Sequence, residues 1–196
     1  IWVLGYDVDV STPEGQGNLF DFNGDTLEVS FLVKDMNIDF THASIADTAG
    51  NLLFYTNGCY IADASHEMME NGDEINYPSW AYDAHCDDGT RGYTLSQGAM
   101  ILPQPDSAHI YYLFHTRINF VDIPPGFDLV GTPFSYTKVD ISKNNGLGAV
   151  IEKNQVVLGD TLQPEHLTAV RHANGNDWWI VTTRQYSDLY YKILFT

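Results

Sequence analysis

At 196 residues the chain has room for one domain with a sizeable core. With 44% hydrophobic and 13% aromatic residues it is far too apolar for disorder. A formal charge of −17 and an isoelectric point near 4.4 exclude nucleic acid and anionic membrane surfaces as partners, since both need Lys and Arg to meet phosphate.

Residues 1–26 read as one strand, opening directly on Ile1–Tyr6 as a processed exported chain or a trimmed one would, then a Gly/Asp/Asn-rich loop from Ser11 to Asp25. No stretch approaches the roughly 18 apolar residues of a membrane span. Leu27–Val33 alternates as a strand, and a hairpin follows over His42–Tyr55. Residues 59–93 are dense in turn chemistry (Asn71-Gly72-Asp73, Asp87-Asp88-Gly89) and predict a long surface insertion, with room for one helical turn over Ser65–Glu70. A second hairpin covers Ala99–Phe114. Residues 118–133, carrying Pro124-Pro125-Gly126, predict a second inserted loop. Phe134–Ile141 and Val150–Leu158 read as strands around a turn at Asn144–Gly148, and Leu167–Val181 forms a third hairpin before a last strand at Leu189–Phe195.

The three hairpins share one plan: a strand, a tight polar turn and an aromatic-rich second strand. None can bury its own apolar face, so the copies must pack on one another. The predicted fold class is therefore all-β and β-propeller-like, a single domain over residues 1–196 with about three four-stranded blades, fewer than the four to eight of a closed propeller. Open blade edges would aggregate, so either more chain completes the ring or a partner covers them.

Cys59 and Cys86 are the only cysteines; oxidised, they would close a loop of about 27 residues, worth roughly 3 kcal/mol. A disulfide is the expected state, two free thiols the alternative. Asp83, His85, Asp87 and Asp88 supply enough ligand atoms for a calcium ion, but the spacing fits no EF-hand, and a solvated acidic loop is the expected reading. The seven histidines show no metalloprotease pairing. There is no nucleophile elbow or phosphate-binding loop, so no catalytic residue, metal or cofactor is assigned. Ser44, Asp47 and Gly50 have the spacing of a sialidase-type turn, yet Arg91, Arg117, Arg171 and Arg184 are too few for the arginine cluster of such enzymes. Trp178-Trp179 and Tyr190-Tyr191 should each put one ring on either face of a sheet.

The run Ala43–Gly58, Met69–Asp73, Gln97–Pro105, Ile110–Phe114, Gly146–Gly148 and Leu167–Trp179 resembles, in order and spacing across nearly the whole chain, the N-terminal region of large secreted surface proteins of Bacteroidota, gliding-motility-associated proteins among them. The resemblance implies a propeller, followed in such proteins by immunoglobulin-like repeats and a type IX secretion sorting domain, and it carries no catalytic residues. It also implies O-glycosylation of Asp-Ser/Thr triplets: Thr26, Thr48, Ser107 and Thr161 each sit in one, where composition predicts about one such triplet. Plain turn chemistry explains the same residues. The expectation is a non-catalytic, extracellular or cell-surface module for adhesion, binding or matrix assembly, its partner seated at residues 59–93 and 118–133. Surface glycans, matrix proteins, further chain of the same protein or other copies are the partners to consider. A structural fibre subunit and a glycan-processing enzyme are the alternatives.

Overall fold

A computed structural model of the chain describes residues 1–5, 17–31, 36–86 and 92–196, and these residues form antiparallel β-sheets with one short helix. Strands β1 (Trp2–Gly5), β2 (Gly17–Asp21) and β3 (Glu28–Phe31) make one three-stranded sheet. A second comprises β4 (Ala43–Ala46), β5 (Leu52–Thr56) and β6 (Ile61–Asp63). After helix α1 (Trp80–His85), the third sheet takes in β7 (Ala99–Pro103), β8 (Ile110–Ile123), β9 (Gly126–Asp140), β10 (Ala149–Leu158), β11 (Leu162–Arg171), β12 (Trp178–Arg184) and β13 (Tyr190–Phe195).

The predicted hairpins are β4–β5, β7–β8 and β11–β12, and each turn is bent by one polar side chain. The Asp47 carboxylate accepts from the Ala49 and Asn51 amides (2.9 and 2.8 Å) and from Asn51 Nδ2 (2.9 Å). Those donors hold Asp47 below the usual carboxylate range, the Asn51 side chain contributing most. Ser107 Oγ accepts from the Ile110 amide (3.2 Å), and Asn174 Oδ1 from the Asn176 and Asp177 amides (3.0 and 3.1 Å). Short polar side chains that imitate a backbone carbonyl are the common device.

Neighbouring residues along a strand point to opposite faces, and here the two faces enter different cores. Tyr55 packs with Val3, Met36, Ile38 and Ala62, between the first two sheets. Its neighbour Phe54 packs with Ile61, Met69, Ile75, Ile101, Leu113 and Val139, between the second and third. On β7 and β8, Ile101 and Leu113 serve that core, while Leu102 and Phe114 join Phe134, Leu162 and Ile180 beneath β11–β13. The structure is thus a stack of meanders in chain order, and the first strand of each lies beside the first strand of the next: β1 by β4, β4 by β7, β7 by β11. Among the described residues the end sheets are covered on one face, which leaves Trp2 (61% exposed) and Phe31 at one end and Val170 and Tyr190 (73%) at the other.

Several elements differ from expectation. In place of three separate four-stranded blades, the described residues form two three-stranded sheets and a seven-stranded one; among them only β7–β10 is a four-stranded meander, and it joins β11–β13 through the pairing of Leu162 with Gly131. Strand β2 lies inside the expected Ser11–Asp25 loop, of which residues 11 to 16 fall outside the described residues. The described part of residues 59–93 is not a surface insertion: it supplies β6 and buries Cys59, Ile61, Met69, Ile75 and Tyr93, because apolar residues spaced among the turns reach the core singly. Helix α1 forms there, whereas Ser65–Glu70 carries only a turn and two isolated bridges. Residues 118–133 are the far ends of β8 and β9, paired from Ile118–Gly131 to Ile123–Gly126 around a turn at Pro124-Pro125, so the prolines mark a hairpin tip.

Candidate binding cleft

Between α1, the β8–β9 arm, β11 and the β12–β13 turn lies a cleft of about 520 Å³, within the range of small-ligand pockets. Its floor is apolar, formed by the buried Leu95 and Ile118.

One wall is built by α1. Ser79 caps the helix by accepting from the Tyr82 amide (3.2 Å), and its Oγ also meets the Tyr93 hydroxyl (3.2 Å). That hydroxyl accepts from the Ile118 amide (2.8 Å), which ties the helix start to β8. The helix end is tied independently, since Cys86 at its C-terminus is bonded to Cys59, the pairing expected from the sequence, with Cα atoms 5.5 Å apart. Cys59 packs with Ala81, Tyr93, Leu95 and Ile118. Held at both ends, α1 presents Trp80, 49% exposed, edge-on to Phe120 with centroids 4.6 Å apart.

The opposite wall rests on Asp128. Its carboxylate accepts from the Leu129 amide (2.8 Å), from Gln185 Nε2 (3.2 Å) and from the Tyr186 hydroxyl. These donors, Tyr186 first, hold Asp128 below the usual carboxylate range, and the same contact pushes the Tyr186 phenol up. Gln185 is buried, donates also to the Leu129 carbonyl (3.1 Å), and leaves its own Oε1 without a partner. Tyr186 stands 65% exposed. Glu165 completes the wall, accepting from the Ser96 amide (3.0 Å).

Glu165 and Tyr186 both have left-handed backbones, φ 67° and 55°. Glu165 lies where the β11–β12 register breaks, between Leu162 and Leu167; Tyr186 turns the chain between β12 and β13. Neither residue type favours that region, which costs on the order of 1–3 kcal/mol at a non-glycine. Two such positions lining one cleft set its side chains at the expense of backbone strain.

Apart from the bonded Cys59 and Cys86, the residues assigned from sequence do not converge on one site. Thr26 and Thr48 are exposed; Ser107 and Thr161 are half-buried, Ser107 as an acceptor in its turn and Thr161 beside Asp160, whose carboxylate accepts its amide (2.7 Å). Asp87, Asp88 and Arg91 lie outside the described residues, and among the described residues no three His, Cys, Asp or Glu side chains converge as metal ligands. The Trp178-Trp179 pair splits between faces: Trp178 packs over the third core with the Arg171 guanidinium 4.9 Å from its ring, and Trp179 lies 4.3 Å beneath the Lys192 ammonium on the outer face. His115, buried between Asn76 (2.7 Å) and Thr137 (3.1 Å), is pushed down to about 3 by desolvation first and by Arg117.

Segments 59–93 and 118–133, where a partner was expected, both line the cleft, through Trp80 and His85 and through Ile118, Asp128 and Leu129. Glu165, Gln185 and Tyr186 were not anticipated. The one signal available was a large aromatic isolated among polar residues, as in Pro78-Ser79-Trp80 and Gln185-Tyr186-Ser187. Comparison of the chain with protein-family models, with curated proteins and with solved structures found no match.

Proposed function

We propose that the chain is a non-catalytic binding module of a secreted or cell-surface protein, part of a β-propeller, serving adhesion or matrix assembly in a Bacteroidota-type bacterium. The observation that carries this reading is the cleft: two exposed rings and a set of hydrogen-bonded acceptors, fixed by a disulfide-anchored helix on one side and strained backbone on the other. The stacking of meanders, with first strand beside first strand, supports the propeller assignment. A disulfide suits an oxidising compartment.

The test is surface-plasmon binding of the whole chain to matrix from a Bacteroidota biofilm. Saturable binding, reduced at least tenfold by Trp80→Ala, is expected; matrix binding that is absent, or indifferent to Trp80, refutes the reading. The fibre alternative draws on the exposed apolar faces of the end sheets, and predicts concentration-dependent assembly on a sizing column, lost when Trp2 and Tyr190 are made polar.

A further inference from the structure

We infer that the cleft takes an uncharged oligosaccharide, its sugar faces on Trp80 and Tyr186 and its hydroxyls on Glu165 and Gln185. The inference rests on the reading of this cleft as a binding site and adds the chemical class of what it binds.

The first argument is shape. Trp80 and Tyr186 are 49% and 65% exposed, so they are platforms rather than enclosing walls. Trp and Tyr rings offer broad, rigid, amphipathic surface at small entropic cost, which suits the apolar face of a pyranose ring. The Trp80 ring is braced by Phe120, itself edge-on to Phe127 at 5.1 Å, and the Tyr186 ring is braced through its hydroxyl on Asp128. Both platforms are ordered before any ligand arrives, which reduces the ordering cost of binding.

Polar chemistry points the same way. Carboxylate and amide groups set in planes are suited to accept from hydroxyls. Glu165 uses Oε1 on the Ser96 amide, and among the described residues its Oε2 has no partner. Gln185 has a buried Oε1 that no described residue satisfies, and an unmet buried acceptor is a costly state that a hydroxyl donor relieves.

Charge decides between ligand classes. Among the described residues of the lining, His85 is the one basic group set against Asp128 and Glu165, in a chain of net charge −17, so a uronic or sialic acid would meet repulsion. A lysine- or arginine-rich peptide would instead be attracted by the overall field. At the cleft, however, both oxygens of Asp128 are already occupied by the Leu129 amide, Gln185 and Tyr186, and flat exposed rings give a cation no enclosure. Neutral, polyhydroxylated chains are what remains.

The experiment uses the whole oxidised chain on an array of neutral, acidic and amino-sugar oligosaccharides, with tetralysine as a competitor. At least one neutral oligosaccharide should be retained, at least tenfold more tightly than any acidic counterpart. Binding should fall at least tenfold in Trp80→Ala and in Tyr186→Gly, the latter with its melting temperature within a few degrees of the parent, so that loss of fold is not the cause. Retention of acidic oligosaccharides alone, displacement by tetralysine, or no neutral glycan retained would overturn the inference. Matrix binding distinguishes the two levels. If matrix is still bound through Trp80 after periodate has destroyed its diols, the carbohydrate inference fails and the binding module stands. If an arrayed neutral glycan is held but matrix is not, the inference stands and the adhesion role fails.

Discussion

Replacing Cys59 and Cys86 together with serine should cost more than any single core substitution near the cleft, and the size follows from loop length. The bond links residues 27 apart in sequence, and closing such a loop in the unfolded chain is worth about 3.5 kcal/mol in the chain-entropy model. Unfolding a chain of 196 residues releases about 0.4 kcal/mol/K near the midpoint, so this loss lowers Tm by about 8 °C. A second contribution adds to it, because Cys59 is 3% exposed and packs against Ala81 and Tyr93, and a serine hydroxyl there is buried without an assigned partner. Urea titration of the parent and the double variant, each with and without reductant, separates the two. The entropic part predicts a steeper urea dependence in the variant, since the released unfolded chain exposes more surface. It also predicts that reductant destabilises the parent by about 3.5 kcal/mol and leaves the variant unchanged. A parent that loses less than about 1 kcal/mol on full reduction would refute the reasoning, and with it the claim that the bond is what holds α1 at the cleft.

Other outcomes follow from the same geometry. Protonation of His115 is refused by the folded protein until pH is near 3 but accepted by the unfolded chain near 6.5, so its contribution is complete above pH 6.5 and declines as pH falls below that value. Chemical denaturation between pH 7 and 5 should show stability falling with acidity by up to about 1.4 kcal/mol per unit from this group, and His115→Phe should flatten that slope. Tyr186→Gly exchanges a strained left-handed residue for one that adopts φ 55° freely, which offsets the roughly 0.5–1 kcal/mol that glycine costs through the unfolded chain. Thermal melts should therefore agree within about 1 kcal/mol, and a larger loss would mean that the contact with Asp128 is a structural support. Gly58→Ala should destabilise by about 3 kcal/mol, because φ is +81° there and a Cβ would sit 2.7 Å from that of Tyr93 and 2.8 Å from Thr41 Cγ2. A loss under 1 kcal/mol would show that this junction yields.

What could be read before the structure was whatever is written locally. Asp47, Ser107 and Asn174 announce their turns because the side chain that bends the backbone lies in the turn itself. Paired bulky residues such as Phe54-Tyr55 and Leu113-Phe114 announce sheets covered on both sides, and each pair does divide between two cores. Strand β2 was hidden by its composition, since Asn18 and Asp21 are tolerated in a sheet with only one buried face. The β8–β9 arm was hidden by Pro124 and Pro125, which signal a turn without saying how far the flanking chain stays paired. The cleft was the least legible. Trp80, Asp128, Glu165 and Tyr186 come from four separate stretches, and a left-handed glutamate at a bulge leaves no mark in composition, where a glycine would have.

The stacking order also bears on how the molecule comes apart. Each meander is gripped by the ones before and after it, so the array behaves as a short one-dimensional chain of couplings rather than as a single indivisible core. The β1–β3 sheet has one neighbour and β3 exposes every residue along its length, whereas β4–β6 and β7–β10 have neighbours on both faces. Fraying therefore begins at the ends: amides of β2 and β3 exchange with solvent through small openings, while those of β5 and β8 wait for global unfolding. The cleft lies toward the other end, and its tether from Cys59 to Cys86 reaches back into the middle of the stack. Loss of the first sheet can thus proceed while the cleft keeps its form.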